Sequence, residues 1–456
     1  MTKWTPKEPR RNGLGGGNVD GDAVSGGLVR LRCSVQNYDW GIEGHDSQVA
    51  RLFSLNSGSG IDPLKPYAEL WIGTHESGPS FVVDRDGDNN GGDVGVVGLG
   101  SVSLKSWIST NPNVLGHKVA RKWGNDLPFL FKVLSVQNAL SIQVHPDKEW
   151  ARILHKSRPS VYKDDNYKPE MALAITEFEA LCGFISTKEL REVLLTIPEI
   201  VELIGLENTE KVLCMKEQEK DQEAKSILEF IFAKILVSSQ ERISDTITKL
   251  KRRLQTEKKK RLLSDKEQLV LKLERQYPTD TGILAAFLLN YVKLNRGEAL
   301  YLGPNEPHAY IRGECVECMA TSDNVVRAGL TSKYRDTKTL LSMLTYKQGF
   351  PEILRGIPLN RHTKRYLPPF EEFEVDRCIL GEAEWTVFPS VAGPSLFICL
   401  TGQGTMESDE GHRPETLGEG DVLFVAANVQ VRVTAESREM ELYRAGVSSR
   451  CFQASS

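Results

Sequence analysis

Apolar side chains follow two rhythms along this chain, and the changes between them divide it. From about 29 to 185 they gather in short runs rich in β-branched and aromatic residues, broken by Gly, Pro and Asn: 29–33, 81–83, 129–133, 140–144 and 171–175. These runs predict strands with one or two short helices between them. Between 186 and 295 the period lengthens. Ile243, Ile247, Leu250 and Leu254 recur at i, i+4, i+7 and i+11, and Ile227, Leu228, Ile231, Ile235 and Leu236 form a second stripe, so this block is predicted to be helical. Beyond 296 strand patterns return. Residues 1–28 are Gly-rich with few large apolar side chains and are expected to be a disordered tail, and 84–104 reads as a turn-rich exposed loop.

One piece of pattern recurs. The segment from Gly297 to Asn305 aligns with that from Gly420 to Asn428, matching Gly, Leu and Asn and keeping the character of most other positions. Such a Gly-acid, apolar, turn segment is similar to the strand pair of cupin jelly rolls and predicts two β-barrels of related design. Eleven residues past the glycine the first copy has His308 and the second has Val431. Only the first barrel is therefore expected to hold a metal.

The expected architecture is mostly β with an α-helical insertion, two cupin-like jelly-roll barrels plus a helical domain. Its parts are a tail (1–28), a β-domain in two pieces (29–185 and 296–355) that would carry the metal and any chemistry, a helical domain between them (186–295) and a metal-free C-terminal β-domain (356–456).

Charge narrows the function. The 456 residues carry 57 Lys plus Arg against 61 Asp plus Glu, a net charge of −4, which is no footprint for a nucleic-acid binder. The basic run from Lys249 to Arg261 is interleaved with Glu257 and followed by Asp265 and Glu267, so it reads as a solvated helix face. No stretch approaches the ~18 apolar residues that span a bilayer, and no apolar segment follows the basic start. Glu8, Asp20 and Asp22 argue against an organelle transit peptide. Eight thinly spread cysteines suit a reducing compartment, and Cys315 with Cys318 lacks the second pair that a zinc knuckle needs. The expectation is a soluble protein of a reducing, cytoplasmic compartment with neither nucleic-acid nor membrane partners.

The chemistry gathers at strand rims. Gln143 and His145 are two apart, hence on one strand face, and Pro146 ends the run. Glu170 opens a second apolar strand and His308 a third. Two imidazoles, a carboxylate and an amide oxygen suit a borderline divalent ion. Zinc comes first; iron stays open, because two His and one carboxylate also describe the facial triad of non-haem oxygenases, although Gln143 would fill a position that O2 chemistry needs.

Five motifs in order, Tyr38-Asp39-Trp40-Gly41, the segment from Pro66 to His75, that from Ser141 to Lys148, Lys168-Pro169-Glu170-Met171 and that from Glu317 to Thr331, closely resemble type I mannose-6-phosphate isomerases of plant type. The resemblance spans about 29–456 and implies a monomer whose partner is a small-molecule sugar phosphate. It implies interconversion of mannose 6-phosphate and fructose 6-phosphate through a cis-enediol, one Zn2+ per chain on Gln143, His145, Glu170 and His308, and a catalytic arginine at Arg327. Lys168, Lys333 and Ser141 are then expected on the phosphorylated substrate, with Trp40 and Glu69 in the pocket wall. For proton transfer Glu317 ranks ahead of Tyr310, Glu69 and a water on the metal, Tyr310 being otherwise placed against substrate. Tyr167 stands where family members commonly have His. The rivals are a cupin iron dioxygenase and a sugar-phosphate or metal-storage protein.

Overall fold

The computed structural model describes residues 27–83, 102–214, 221–411 and 413–453. The expected tail up to residue 26 and the expected loop over 84–101 lie outside these. The loop's far end, 102–104, is ordered: Ser103 bridges Phe81 and Leu104 opens a helix with its side chain fully buried.

The first β region centres on the His308–Ala320 strand, which changes partners half-way. Its first half pairs with Ile142–Val144 and Phe178–Phe184, its second with Phe129–Val136 and Glu170–Ala174. The change falls at Gly313, whose φ of 108° suits glycine and where a Cβ would lie 2.3 Å from the Glu177 carbonyl oxygen. Every residue of Phe129–Val136 is buried, because both faces of that central strand are covered.

The helical block holds the expected stripes. Ile243, Ile247, Leu250 and Leu254 of the Gln240–Glu257 helix are all buried, as are Leu228, Ile231 and Ile235. Capping boxes, Ser186 with Glu189 and Ser264 with Glu267, start two of its helices. The block ends earlier than 295, since Leu289–Leu294 is already a strand paired with Phe178–Phe184. Its core runs on into Ile142, Val144, Val326 and Ala328, so the strands beneath the rim residues pack their other face on helices. The basic run, expected as a solvated helix face, has several of its cations ion-paired, Lys249 with Glu202 and Asp245, Lys251 with Glu274 and Arg253 with Glu199, and the helix ends at Glu257, before Lys258.

The recurring segment has one backbone conformation in both places. Gly297 and Gly420 have φ of 85° and 83°, and Asn305 and Asn428 have 60° and 65°, bracketing the strands Ala299–Leu302 and Val422–Val425. The C-terminal region places an eight-stranded sheet over a four-stranded one with a shared core. Among the described residues the end strands of neither large sheet pair with each other, so the β regions are open rather than closed barrels. Two strands, Leu28–Arg32 and Phe81–Val82, lie away from their expected place. Leu28–Arg32 pairs with Val422–Val425 and Phe81–Val82, inside the C-terminal sheet. No described helix is long and apolar enough to cross a membrane.

Candidate metal centre and its pocket

Three neighbouring strands set the site by register. Gln143 lies opposite His308 on one side and opposite Arg327, of Val326–Gly329, on the other. Ile142 and Val144 are fully buried toward the helices, which leaves Ser141 and Gln143 facing a pocket of about 870 Å³. His145 follows directly, and Glu170 opens the next strand.

His145, Glu170 and His308 are all buried, and one ligand atom from each lies within 4.8 Å of the others. Each imidazole points Nε2 at one oxygen of Glu170, at 3.4 Å. Each turns Nδ1 to a backbone carbonyl, His145 to Asn324 at 2.7 Å and His308 to Glu306 at 3.1 Å, the arrangement that frees Nε2 to bind a metal. The Gln143 amide nitrogen sits 3.5 Å from His308 Nε2, and turning the amide over presents its oxygen there. His145 Nε2 and Glu170 Oε2 are buried with no hydrogen-bond partner. Such orphaned acceptors are costly without a cation, so the donor set fits a divalent ion. Burial pushes His145 down to about 4, which keeps its imidazole neutral. Burial acts to raise Glu170, but His145 and Lys168, the latter at 3.2 Å, outweigh it and hold the carboxyl well below its ordinary value.

A second buried group sits beside this one. Lys132 interrupts the apolar Phe129–Val136 strand, lies opposite Glu317 and Trp71 in adjacent strands, and is 3.1 Å from both Glu69 and Glu317. Its ammonium also lies 5.0 Å from the Trp71 ring centre. Burial acts to lower Lys132, yet the carboxylates of Glu317, Glu69 and Glu170 raise it above its usual value. Burial raises the Glu317 carboxyl, with Lys132 partly opposing. Tyr310 donates its hydroxyl to Glu317 Oε1 at 2.8 Å and is itself held well above the tyrosine range by burial and that carboxylate.

Trp40, Glu69, Ser141, Lys168, Tyr310, Glu317, Arg327 and Lys333 all line the pocket, with Lys333 exposed at its mouth. Arg327 is half-buried, and burial lowers its guanidinium from the ordinary value. A salt bridge to Asp323 would be its commonplace role, but Asp323 pairs with His75 at 3.3 Å. Tyr167 faces away, donating to Glu372 at 2.6 Å beneath the ammonium of Lys148. Cys315 and Cys318 are buried free thiols. The sequence reading missed Lys132, the His75–Asp323 pair and a wall of Arg275, Gln276 and Tyr277 from the helical block. For Lys132 a signal existed: a lysine inside an unbroken apolar strand.

Residues 28–187 match the family profile of the phosphomannose isomerase type I catalytic domain, and 203–289 that of its helical insertion domain. The chain is 55% identical over 423 residues to mannose-6-phosphate isomerase 1 of Arabidopsis thaliana, covering 93% of this chain and 94% of that protein. It is 37% identical to the mannose-6-phosphate isomerase of Schizosaccharomyces pombe, covering 92% and 99%. A crystal structure of a mannose 6-phosphate isomerase bound with zinc and yttrium superposes with a TM-score of 0.75 at 27% identity, covering 92% of this chain and all of that one.

Proposed function

This chain belongs to the type I phosphomannose isomerase family and is a mannose-6-phosphate isomerase, and from that premise we propose that its pocket interconverts D-mannose 6-phosphate and D-fructose 6-phosphate through a cis-enediol. One observation carries the residue assignment: a register row that places Gln143 between His308 and Arg327, beside two orphaned buried ligand atoms. Gln143, His145, Glu170 and His308 would hold one Zn2+ per chain. When bound, that ion supplies Lewis-acid stabilisation of negative charge on the substrate oxygens.

The chain's own side chains divide the rest. Glu317 removes the proton from C2 of the open-chain aldose and returns it to C1, while the hydroxyl proton on O2 passes to O1, so C2–H and O2–H bonds break, C1–H and O1–H bonds form, and no external oxidant is needed. Its raised affinity for protons suits a group that must both take and give one near neutral pH. Lys132 and Tyr310 hold that carboxyl in place. Arg327 lies against the reacting end and stabilises the enediolate with fixed N–H donors. Lys168, Lys333 and Ser141 contact substrate, and Trp40 and Glu69 form the wall.

Tyr167, bonded to Glu372, has a packing role on this reading. We read the two β regions as cupin-like jelly rolls, supported by the repeated Gly-to-Asn element, and the second as structural, with buried Val431 where the first has His308. Free thiols suit the cytoplasm, and we read the chain as a monomer, as the resemblance implies. The product feeds GDP-mannose and, in plants, ascorbate synthesis. The test is fructose 6-phosphate formation from mannose 6-phosphate before chelation, after it, and after zinc is restored. Loss and recovery are expected; no turnover by folded, zinc-loaded protein would put sugar-phosphate binding without catalysis in front.

A further inference from the structure

The cations of the pocket fall into two sets. Lys132 is neutralised by Glu69 and Glu317, and Lys168 by Glu170. Among the described residues no carboxylate lies within ion-pair reach of Arg275, Arg327 or Lys333. A doubly charged anion gains most where cations are uncompensated. Arg327 stands beside Gln143 at the metal end, so Arg275 and Lys333 remain for the other end of the substrate.

Arg275 sits in the last turn of the Asp265–Gln276 helix, and that helix end is fastened to both segments framing the pocket. Gln276 accepts the Ala139 N–H at 3.2 Å and donates to Asn138 at 2.9 Å, while the Tyr277 hydroxyl donates to the Ala139 carbonyl at 2.5 Å. These bonds fix the approach to Ser141. Asp280 accepts the backbone N–H groups of Leu330 at 2.6 Å and Thr331 at 3.3 Å, fixing the approach to Lys333. The helix end is therefore a rigid support for a charged contact.

We propose that Arg275, brought to the pocket by the helical insertion, is a further phosphate-recognition residue that acts with Lys333 on the sugar phosphate. The inference rests on the sugar-phosphate reading above. A competing role exists: an arginine in a last turn also complements the helix dipole, which affects stability and not substrate.

The experiment compares Arg275→Gln and Arg275→Lys with wild type as zinc-loaded full chains, with Lys259→Gln as a charge control outside the pocket. In Arg275→Gln the KM for mannose 6-phosphate and the inhibition constant of inorganic phosphate should both rise about tenfold, with kcat changed less than about twofold. Arg275→Lys should recover part of the loss, and Lys259→Gln should change neither constant. Unchanged constants with a lowered melting temperature would leave Arg275 to the helix dipole and overturn the proposal, as would an equal rise in Lys259→Gln. Were wild type not to turn over mannose 6-phosphate, the substrate reading would fail, and calorimetric titration with inorganic phosphate would still decide Arg275: weaker binding in Arg275→Gln supports it, equal binding ends it.

Discussion

Around Lys132 two buried carboxylates and an indole share one ammonium, in a strand whose every residue is out of water. Removing one partner from such a group leaves charge without compensation, so Lys132→Met should cost roughly 3–5 kcal/mol in urea unfolding. It should also move catalysis along the pH axis. Glu317 must be ionised to take a proton, burial already raises it, and Lys132 is what opposes that rise. Without Lys132 the acidic limb of kcat/KM shifts to higher pH; a limb that stays put would remove Glu317 as the base. Arg327→Ala tests a different contact. Zinc content should stay at wild-type level while kcat falls about 10²–10³-fold, and an unchanged kcat would strip Arg327 of its role. At this scale much was legible. Period two placed Gln143 with His145, and Pro146, Glu170 and His308 marked strand rims. Lys132 is marked by its charge inside an apolar strand, but nothing in its spacing names its partners, and the place of Arg275 depends on where a distant helix docks.

Among the elements, the His308–Ala320 strand does the most to build the site, since it carries His308 before the turn at Gly313 and Glu317 after it. Gly313→Ala would force a Cβ against the Glu177 carbonyl at a backbone angle that L residues avoid. A loss of about 3 kcal/mol is expected, together with reduced zinc retention on dialysis, because the two halves would no longer meet at the same angle. Full stability in Gly313→Ala would show that the bend tolerates other residues. Strand positions and helix stripes were legible from periodicity alone, and the repeated Gly-to-Asn segment proved to share its φ angles at both ends. The bend was not legible, because a glycine inside a strand does not announce which partner strand it leaves.

For the whole molecule, the orphaned atoms of His145 and Glu170 tie stability to metal. Chelated protein should melt at a lower temperature than zinc-loaded protein. At free zinc about a thousandfold above its dissociation constant the difference corresponds to ~4 kcal/mol, and equal melting curves would refute a folded-state metal site. What local pattern could not disclose is long-range pairing. Nothing in 28–32 indicates that this strand belongs to the sheet containing Val422–Val425.

That pairing sets an order of events during synthesis. The strand Leu28–Arg32 leaves the ribosome long before one of its two neighbours, Val422–Val425, which is made about 390 residues later. At ~5–20 residues per second the interval is about 20–80 s, far longer than strands and helices take to form locally. Through that time its only completed neighbour is the two-residue Phe81–Val82 strand. The sheet is thus completed only after Val422–Val425 emerges, and a nascent chain stalled short of Val422 carries an amphipathic strand with one edge still unpaired.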